Sequence, residues 1–543
     1  MDVQIFDNVT SSLTEPPSDG LLGLLEPELL GEPSRRTVAK RRNRAAFQST
    51  EALSLVGEFG GYSTYAPPGN TDKWVERAMD TFLPVTDQNT LRGWTRRHQG
   101  AAGMQKSLEK FGGRVSRFTD LSRPQRSAMV AAIGKARTAF SVPYKVQPLD
   151  LEKVGQHMKT ETSAGFSFPG KKKSDVMPEI YSKARWLQHR IKHGGLKSFN
   201  PKQVQFPPCL AGARGHMSPS DDPKTRLIWV YPAEMLAIEG KFAPLIYDLI
   251  ANKPDGPLLL GNGSHRLFSE WMSHYQEGKE LYGLDFSAFD TKVPPWLIHV
   301  AFDILHHCLD WDNYGNVPSS KKWKQKNKNL WDAVKWYFIN TPILMPDGRL
   351  FRKHHGVPSG TYFTQLIDSV VNYIIIQYVC NCQQIEPEYL RVLGDDSQFM
   401  SALSLDLNRA QSDCDALNML IKVEKCERTK DPTQFKSLGL RYKDGHGYRE
   451  TEEWFRFAIY PEQPPQSVEV SMSRLVGLWL GGGMFDKVFC KFFDYYQSCY
   501  PCPSHGLFSK EQRKWMSIIF GGRAPRGWSK ENDLFWRSIF YCL

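Results

Sequence analysis

The run Arg391-Val392-Leu393-Gly394-Asp395-Asp396-Ser397-Gln398-Phe399-Met400 sets two adjacent carboxylates between short apolar stretches. A Gly-Asp corner flanked in this way predicts two strands of a tight hairpin with both acids at its tip. Ordinary solvated turns use the same corner chemistry. Its meaning therefore depends on what stands upstream.

Upstream lies Leu281-Tyr282-Gly283-Leu284-Asp285-Phe286-Ser287-Ala288-Phe289-Asp290. A strand ending at Asp285 would carry that carboxylate at its tip, and Asp290 would swing back over the same place after a turn. An aspartate entering an apolar strand is costly unless it meets a cation or a partner. Earlier still, Asp221-Asp222-Pro223-Lys224-Thr225-Arg226-Leu227-Ile228-Trp229-Val230 alternates its cations, so on a strand Lys224 and Arg226 project to one face. Ala233 to Asn252 is predicted to form one amphipathic helix.

Between these acidic stretches, Gly356-Val357-Pro358-Ser359-Gly360-Thr361-Tyr362-Phe363-Thr364 opens a helix expected to run to about Val379. Thr364, Asp368 and Asn372 recur every four residues and form one narrow polar stripe on an otherwise apolar helix. Such a stripe suits a buried helix facing a polar ligand, and equally one with a thin solvent-facing edge. Residues 301 to 355 look like an insertion, with Lys321 to Lys328 giving a basic outer face to a packed helix.

The chain has 543 residues, 69 Lys and Arg against 58 Asp and Glu, and a formal net charge of +11. That length exceeds one compact core, and the positive surplus suits a polyanionic partner. Ten cysteines are scattered along it; one Cys499-Tyr500-Pro501-Cys502 pair without a second pair favours reduced thiols over a zinc site. No apolar run reaches eighteen residues, the acidic N-terminus lacks a basic signal region, and Asp2 excludes myristoylation. The expectation is a soluble chain, without membrane attachment, that stays inside a cell or particle.

Residues 1 to 34 carry seven carboxylates and no Lys or Arg, after which Arg35 to Arg44 reverses the sign. Residues 1–60 read as an extension wrapping the main body or a partner, and 70 to 160 as helical. Thr160 to Gly170 is rich in small residues and precedes Lys171, Lys172 and Lys173. Small residues allow close backbone approach to a nucleic-acid strand, and the lysines would neutralise phosphates.

In this order, a basic strand, D-x4-D, S-G-x3-T heading a helix, G-D-D and then a lysine, the chain resembles the viral RNA-dependent RNA polymerases. The wording around the motifs is most similar to the partitivirus polymerases, with the picobirnaviruses next, both groups having segmented double-stranded RNA genomes. The resemblance covers about 160 to 440. It implies an α+β closed right hand with an antiparallel palm sheet backed by helices: fingers at 61–278 with 305–355, palm at 279–304 and 356–462, thumb at 463–543.

It also implies roles. Asp285, Asp395 and Asp396 would be metal ligands and catalytic, since hard divalent cations take carboxylate oxygens and two such ions can stabilise both ends of a nucleotidyl transfer. Mg2+ is the expected ion, Mn2+ the alternative. Lys425, with Lys422 close by, would protonate the leaving pyrophosphate. Arg214, Lys224 and Arg226 would hold the triphosphate; Asp290, Ser359, Gly360, Thr364, Asp368 and Asn372 would complete the nucleotide site. Thr162, Ser163, Ala164 and Gly165 would meet the template. Many positive-strand virus enzymes resemble S-G-x3-T-x3-N, whereas here Asp368 takes that place and Asn372 follows one turn later, so either residue is a candidate for ribose selection. Template RNA, nascent RNA, NTPs and capsid protein are the implied partners, and the implied location is the virion interior within the host cytoplasm. Initiation without a primer is the expected mode.

Overall fold

The computed structural model describes residues 48–63, 71–193, 199–259, 272–443 and 446–500. The basic block at 35–44, most of the 1–60 extension, Cys502 and the tail from 501 fall outside the described residues.

The acidic hairpin forms as its sequence predicts. Strands Glu388–Leu393 and Asp396–Ser401 pair antiparallel, with Leu393 opposite Asp396, leaving Gly394 and Asp395 as the two-residue corner. Gly394 has φ +65°, the backbone that the first corner position of a II′-type hairpin turn requires. The second strand pairs with Glu280–Gly283, which pairs with Glu427–Thr429, giving a four-stranded sheet that is antiparallel throughout. Tyr282 stacks on Phe399 across it at 5.2 Å and 15°.

The aspartate strand is shorter than predicted. It ends at Gly283, two residues before Asp285, because Leu284 and Asp285 turn their N–H groups to side chains, Ser397 Oγ at 3.2 Å and Cys426 Sγ at 3.4 Å. The chain then reverses through Ala288 (φ +52°) into a short 3-10 turn, Phe289–Thr291.

Helix Thr364–Cys382 backs this sheet, extending three residues beyond the predicted end, and packs against helices Arg123–Ala139 and Pro295–His306. Arg123–Ala139 begins at a capping box, Ser122 with Gln125, and has Pro124 in its first turn. Between them lies the largest core, with Leu366, Ile367, Val370, Val371, Ile374 and Ile375 fully buried.

A second sheet has five strands in the spatial order Leu53–Glu58, Arg349–Lys353, Pro342–Leu344, Cys209–His216, Lys224–Val230. The stretch that reads as an insertion in sequence therefore contributes two interior strands, and the end of the N-terminal extension contributes an edge. Lys321–Ile339 is a single helix; Leu330, Trp331, Val334 and Phe338 are buried on it, and its lysines face outward apart from a half-buried few. The helix predicted for 233–252 is two, Ala233–Glu239 and Ala243–Ala251, broken at Gly240 and restarted at Pro244. Every residue of the first is buried, so it is not amphipathic.

A separate core joins the two ends of the described chain. Val75, Met79 and Leu91 pack with Trp454, Phe455, Leu475, Phe489 and Phe492. Asp72, 0 % exposed, caps helix Lys73–Phe82 at Trp74 N (3.2 Å) and Val75 N (3.3 Å) and also accepts from Ser471 Oγ at 2.6 Å and Arg474. Helices Lys73–Phe82 and Val85–Arg92, which sequence order places with the fingers, thus complete the bundle of Thr451–Ile459, Val468–Leu480 and Lys487–Cys499.

Candidate active site

Asp395 and Asp396 stand exposed at the hairpin tip. The Leu284 to Ser397 bond brings Asp285 beside them. Asp285 is fixed from its other side by the 420–426 segment: Lys422 N donates to Asp285 O at 2.8 Å and Ser287 N to Leu420 O at 2.8 Å. Asp290 is placed by the glycine-rich loop, since Val357 N donates to Asp290 O at 2.6 Å. A side chain at Gly356 would bring its Cβ to 2.7 Å from that same oxygen, so the close approach requires glycine there.

These carboxylates feel one another. Although Asp396 reaches solvent at the tip, desolvation by the chain crowded around it, then Asp395 and Asp285, push it up to about 6, with Arg226 opposing. Burial and Asp395 push Asp290 up to about 6, again opposed by Arg226. Asp285 is raised by burial and Asp395 while Lys422 and Lys425 pull it back. Asp368, 4 % exposed, is raised well above the ordinary carboxylate value by burial, Asp290 and Asp395, and its Oδ1 has no hydrogen-bond partner. Five carboxylates thus share one region, with Arg226 reaching in from strand Lys224–Val230, where Lys224 and Arg226 do share the exposed face.

The donor set fits a hard divalent cation: all oxygen, crowded, and incompletely neutralised by the nearby cations. Among the described residues, however, no three acidic, His or Cys side chains stand close enough to enclose an ion as they are.

The rest of the polar stripe does something else. Asn372 Nδ2 donates to Gly394 O at 3.0 Å and Asp396 O at 3.1 Å, and Ser369 Oγ accepts from Gly394 N at 2.9 Å. The helix therefore grips the hairpin corner, and Asn372, expected to meet nucleotide, spends its Nδ2 on the protein backbone while its buried Oδ1 has no partner. Thr364, likewise expected at the nucleotide, donates its hydroxyl to Pro358 O at 2.8 Å. Ser359 Oγ donates to Leu227 O at 3.2 Å and accepts from Trp229 N at 3.5 Å, tying the loop to the basic strand. Gly360 has φ +100°, and a Cβ there would lie 2.3 Å from Trp229 O. Of the stripe, Asp368 and Asn372 each keep one side-chain oxygen unpartnered, and Asp368 is the one on which Asp290 and Asp395 act.

Arg214 sits opposite Arg226 in the strand register, and its guanidinium is paired with Glu462. Thr162 and Ser163 brace Lys173, whose Nζ donates to Thr162 Oγ1 at 2.6 Å and Ser163 O at 2.8 Å. Burial lowers Lys173 to about 8, so it is a strut rather than one of three surface phosphate ligands; Lys171 and Lys172 remain exposed. Ala164 is buried, and Gly165 (φ +83°) lets the loop pass Tyr231 O, which a Cβ would meet at 2.9 Å.

Three contributors escaped sequence reasoning: Ser369, Ser397 and Glu239. Ser369 was the readable one, because with Asn372 it forms an i, i+3 polar pair on a buried helix. Glu239 looked like any acid of a surface helix.

An antiparallel sheet carrying a G-D-D hairpin against a D-x4-D turn, with a glycine-entered helix behind and a basic strand in front, is the palm of a right-hand polymerase. The sequence profile of the viral RNA-dependent RNA polymerases matches residues 69–497, and the chain belongs to that family. It is 30% identical over 273 residues to the RNA-directed RNA polymerase of Cryptosporidium parvum virus 1, covering 46% of this chain and 45% of that one. It is 24% identical over 330 residues to that of white clover cryptic virus 1, covering 55% and 53%. The chain thus spans about half the length of the curated relatives it matches. The crystal structure of a human picobirnavirus RNA-dependent RNA polymerase shares the fold, with TM-score 0.58 at 14% identity over 79% of this chain and 81% of that one. The partitivirus and picobirnavirus resemblance and the right-hand fold expected from the motifs are borne out.

Proposed function

We propose that the chain is an RNA-directed RNA polymerase that adds NTPs to an RNA 3′-hydroxyl on an RNA template. The observation that carries this reading is the convergence of Asp285, Asp290, Asp368, Asp395 and Asp396 opposite Arg226. Asp285, Asp395 and Asp396 would hold the divalent cations, Mg2+ with Mn2+ as the alternative, which activate the hydroxyl and stabilise charge on the leaving pyrophosphate.

The chain's own groups do the rest. Arg226 and Lys224 bind the triphosphate, and Arg214 joins them on release from Glu462. Lys425, or its neighbour Lys422, donates the proton to pyrophosphate; both act on Asp285 electrostatically. Asp368, biased toward its protonated form by burial, Asp290 and Asp395, offers a hydrogen bond beside Asp290 for the ribose 2′-hydroxyl. The loop Thr162 to Gly165 guides the template.

On the motif resemblance, the reading extends to transcription and replication of a segmented double-stranded RNA genome, begun without primer, inside a virion in the host cytoplasm and docked on capsid protein. Co-sedimentation of the chain with assembled capsid, lost in high salt or absent, decides the docking part.

The test of the central reading is labelled-nucleotide incorporation on single-stranded RNA with Mg2+ and no primer, beside Asp395→Asn. Full-length duplex from rNTPs, absent with dNTPs and lost in the variant, is expected. Synthesis that survives Asp395→Asn, or none on either unprimed or primed template, would overturn it.

A further inference from the structure

A cavity of about 370 Å3 opens outside the active site, between the Leu151–His157 turn, helix Met177–His193, Lys241 and the Lys321–Ile339 helix. None of the residues placed in the active site lines it. Its volume lies at the lower end of the range of small-ligand sites.

The walls are cationic. Lys192, His193, Lys241 and Arg185 line it, and Lys326 Nζ comes within 3.1 Å of His193 Nε2. His189 stacks on His193 at 4.3 Å, bringing two imidazoles to one wall. Of the two acids at the rim, Glu152 is already taken by Arg185 at 3.0 Å, leaving Asp150 against the three lysines. The crowding registers on the groups themselves. Burial, then Lys241 and Lys326, lowers Lys192 to about 8; His193, though it reaches solvent, is lowered by partial desolvation and by Lys326, His189, Lys322 and Lys192.

One wall is aromatic. Tyr314, 49 % exposed, lies against Trp323 with ring centroids 5.4 Å apart at 47°. A simple carboxylate would need one cation and no ring. Several mutually repelling cations beside an aromatic pair match a polyphosphate joined to a base: phosphate oxygens neutralise the lysines, and the base covers Trp323 or Tyr314.

We propose that this cavity is a second ligand site, for a nucleoside 5′-polyphosphate group, in which Lys192, Lys241 and His193 take the phosphates and Tyr314 with Trp323 takes the base. A free nucleotide and the 5′-triphosphate end of an RNA present the same chemistry.

The test is equilibrium filter binding to the full chain of radiolabelled ATP, GTP and a pentanucleotide RNA carrying either a 5′-triphosphate or a 5′-hydroxyl. It compares wild type with Arg226→Ala, Lys192→Met and Trp323→Ala, folding being checked by circular dichroism in all and by primed RNA synthesis in the last two. The site is expected to persist in Arg226→Ala and to weaken at least tenfold in Lys192→Met and Trp323→Ala, which keep primed synthesis. Binding of ATP and GTP points to free nucleotide; binding of the triphosphate RNA alone points to the RNA end. Equal binding of the 5′-hydroxyl RNA, or unchanged affinity and stoichiometry in both Lys192→Met and Trp323→Ala, would overturn the proposal. Because binding is read apart from synthesis, its failure leaves the polymerase reading untouched.

Discussion

Glu239, wholly buried, accepts the Thr361 hydroxyl at 2.6 Å with Oε2, and the same oxygen takes Tyr362 N at 3.2 Å. Its Oε1 is buried without a partner. One carboxyl beneath the glycine-rich loop thus holds the two residues that follow Ser359 and Gly360.

Burial raises Glu239 from 4.5 to about 8, with the bonds from Thr361 and Tyr362 opposing. The folded state then binds a proton that the unfolded chain has lost, so this group's contribution is complete below the unfolded value and fades as pH climbs through about 8. One proton gives a slope of at most about 1.4 kcal/mol per pH unit. Glu239→Gln keeps an acceptor for Thr361 and removes the titration. Urea unfolding at pH 5 to 8.5 is expected to show a flatter decline than wild type; identical slopes would refute the assignment.

Asn372 and Asp368 are expected to fail differently. Asn372→Ala leaves the carbonyls of Gly394 and Asp396 without their donor, a loss of about 1–3 kcal/mol, and slows rNTP and dNTP incorporation alike. Asp368→Ala is expected to change the ratio of the two sugars, because its unpartnered oxygen belongs to a carboxyl on which Asp290 acts. Melting temperature and the rNTP to dNTP ratio, measured on both variants, separate them; an unmoved ratio in Asp368→Ala rules out its role in ribose choice.

Two glycines with positive φ should differ in tolerance. At Gly360 a Cβ would lie 2.3 Å from Trp229 backbone oxygen, whereas at Gly394 it would lie 3.0 Å from the end of the flexible Gln365 side chain. Gly360→Ala is expected to lower the melting temperature and primed synthesis more than Gly394→Ala. The reverse order would mean that the loop, not the hairpin, is the part able to move.

Asp72→Ala removes the buried partner of Arg474 and the cap of the first described helix. The guanidinium keeps its bonds to Phe457 O and Ala458 O, so losing its charged partner costs about 1–3 kcal/mol. Limited proteolysis is expected to release fragments cut near residue 72 or 460, and Asp72→Asn, which keeps the cap, should be milder. Equal resistance of all three proteins would show that the pair contributes little.

What could be read in the sequence was local in the chain. The hairpin at Gly394-Asp395, the strand with Lys224 and Arg226, and the helix after Gly360 each depend on neighbours within a few residues, and the structure has all three. What could not be read depends on distant partners. Asn372 looks like a ligand-facing residue until the hairpin 22 residues on is folded against it. Lys173 looks like a surface charge until Thr162 and Ser163 close over it. The 233–252 helix breaks at Gly240, but that Glu239 then lies under a loop 122 residues away could not be read locally.

The core shared by Val75, Met79 and Leu91 with Trp454, Phe455 and Phe492 also imposes an order in time. Asp72 and Ser471 are separated by 399 positions. At about 5–20 residues per second of synthesis, the first described helices wait roughly 20–80 s for the segment that completes their core. A ribosome that stops short of Thr451 therefore releases a chain whose first described helices lack the Trp454, Phe455 and Phe492 side of their core.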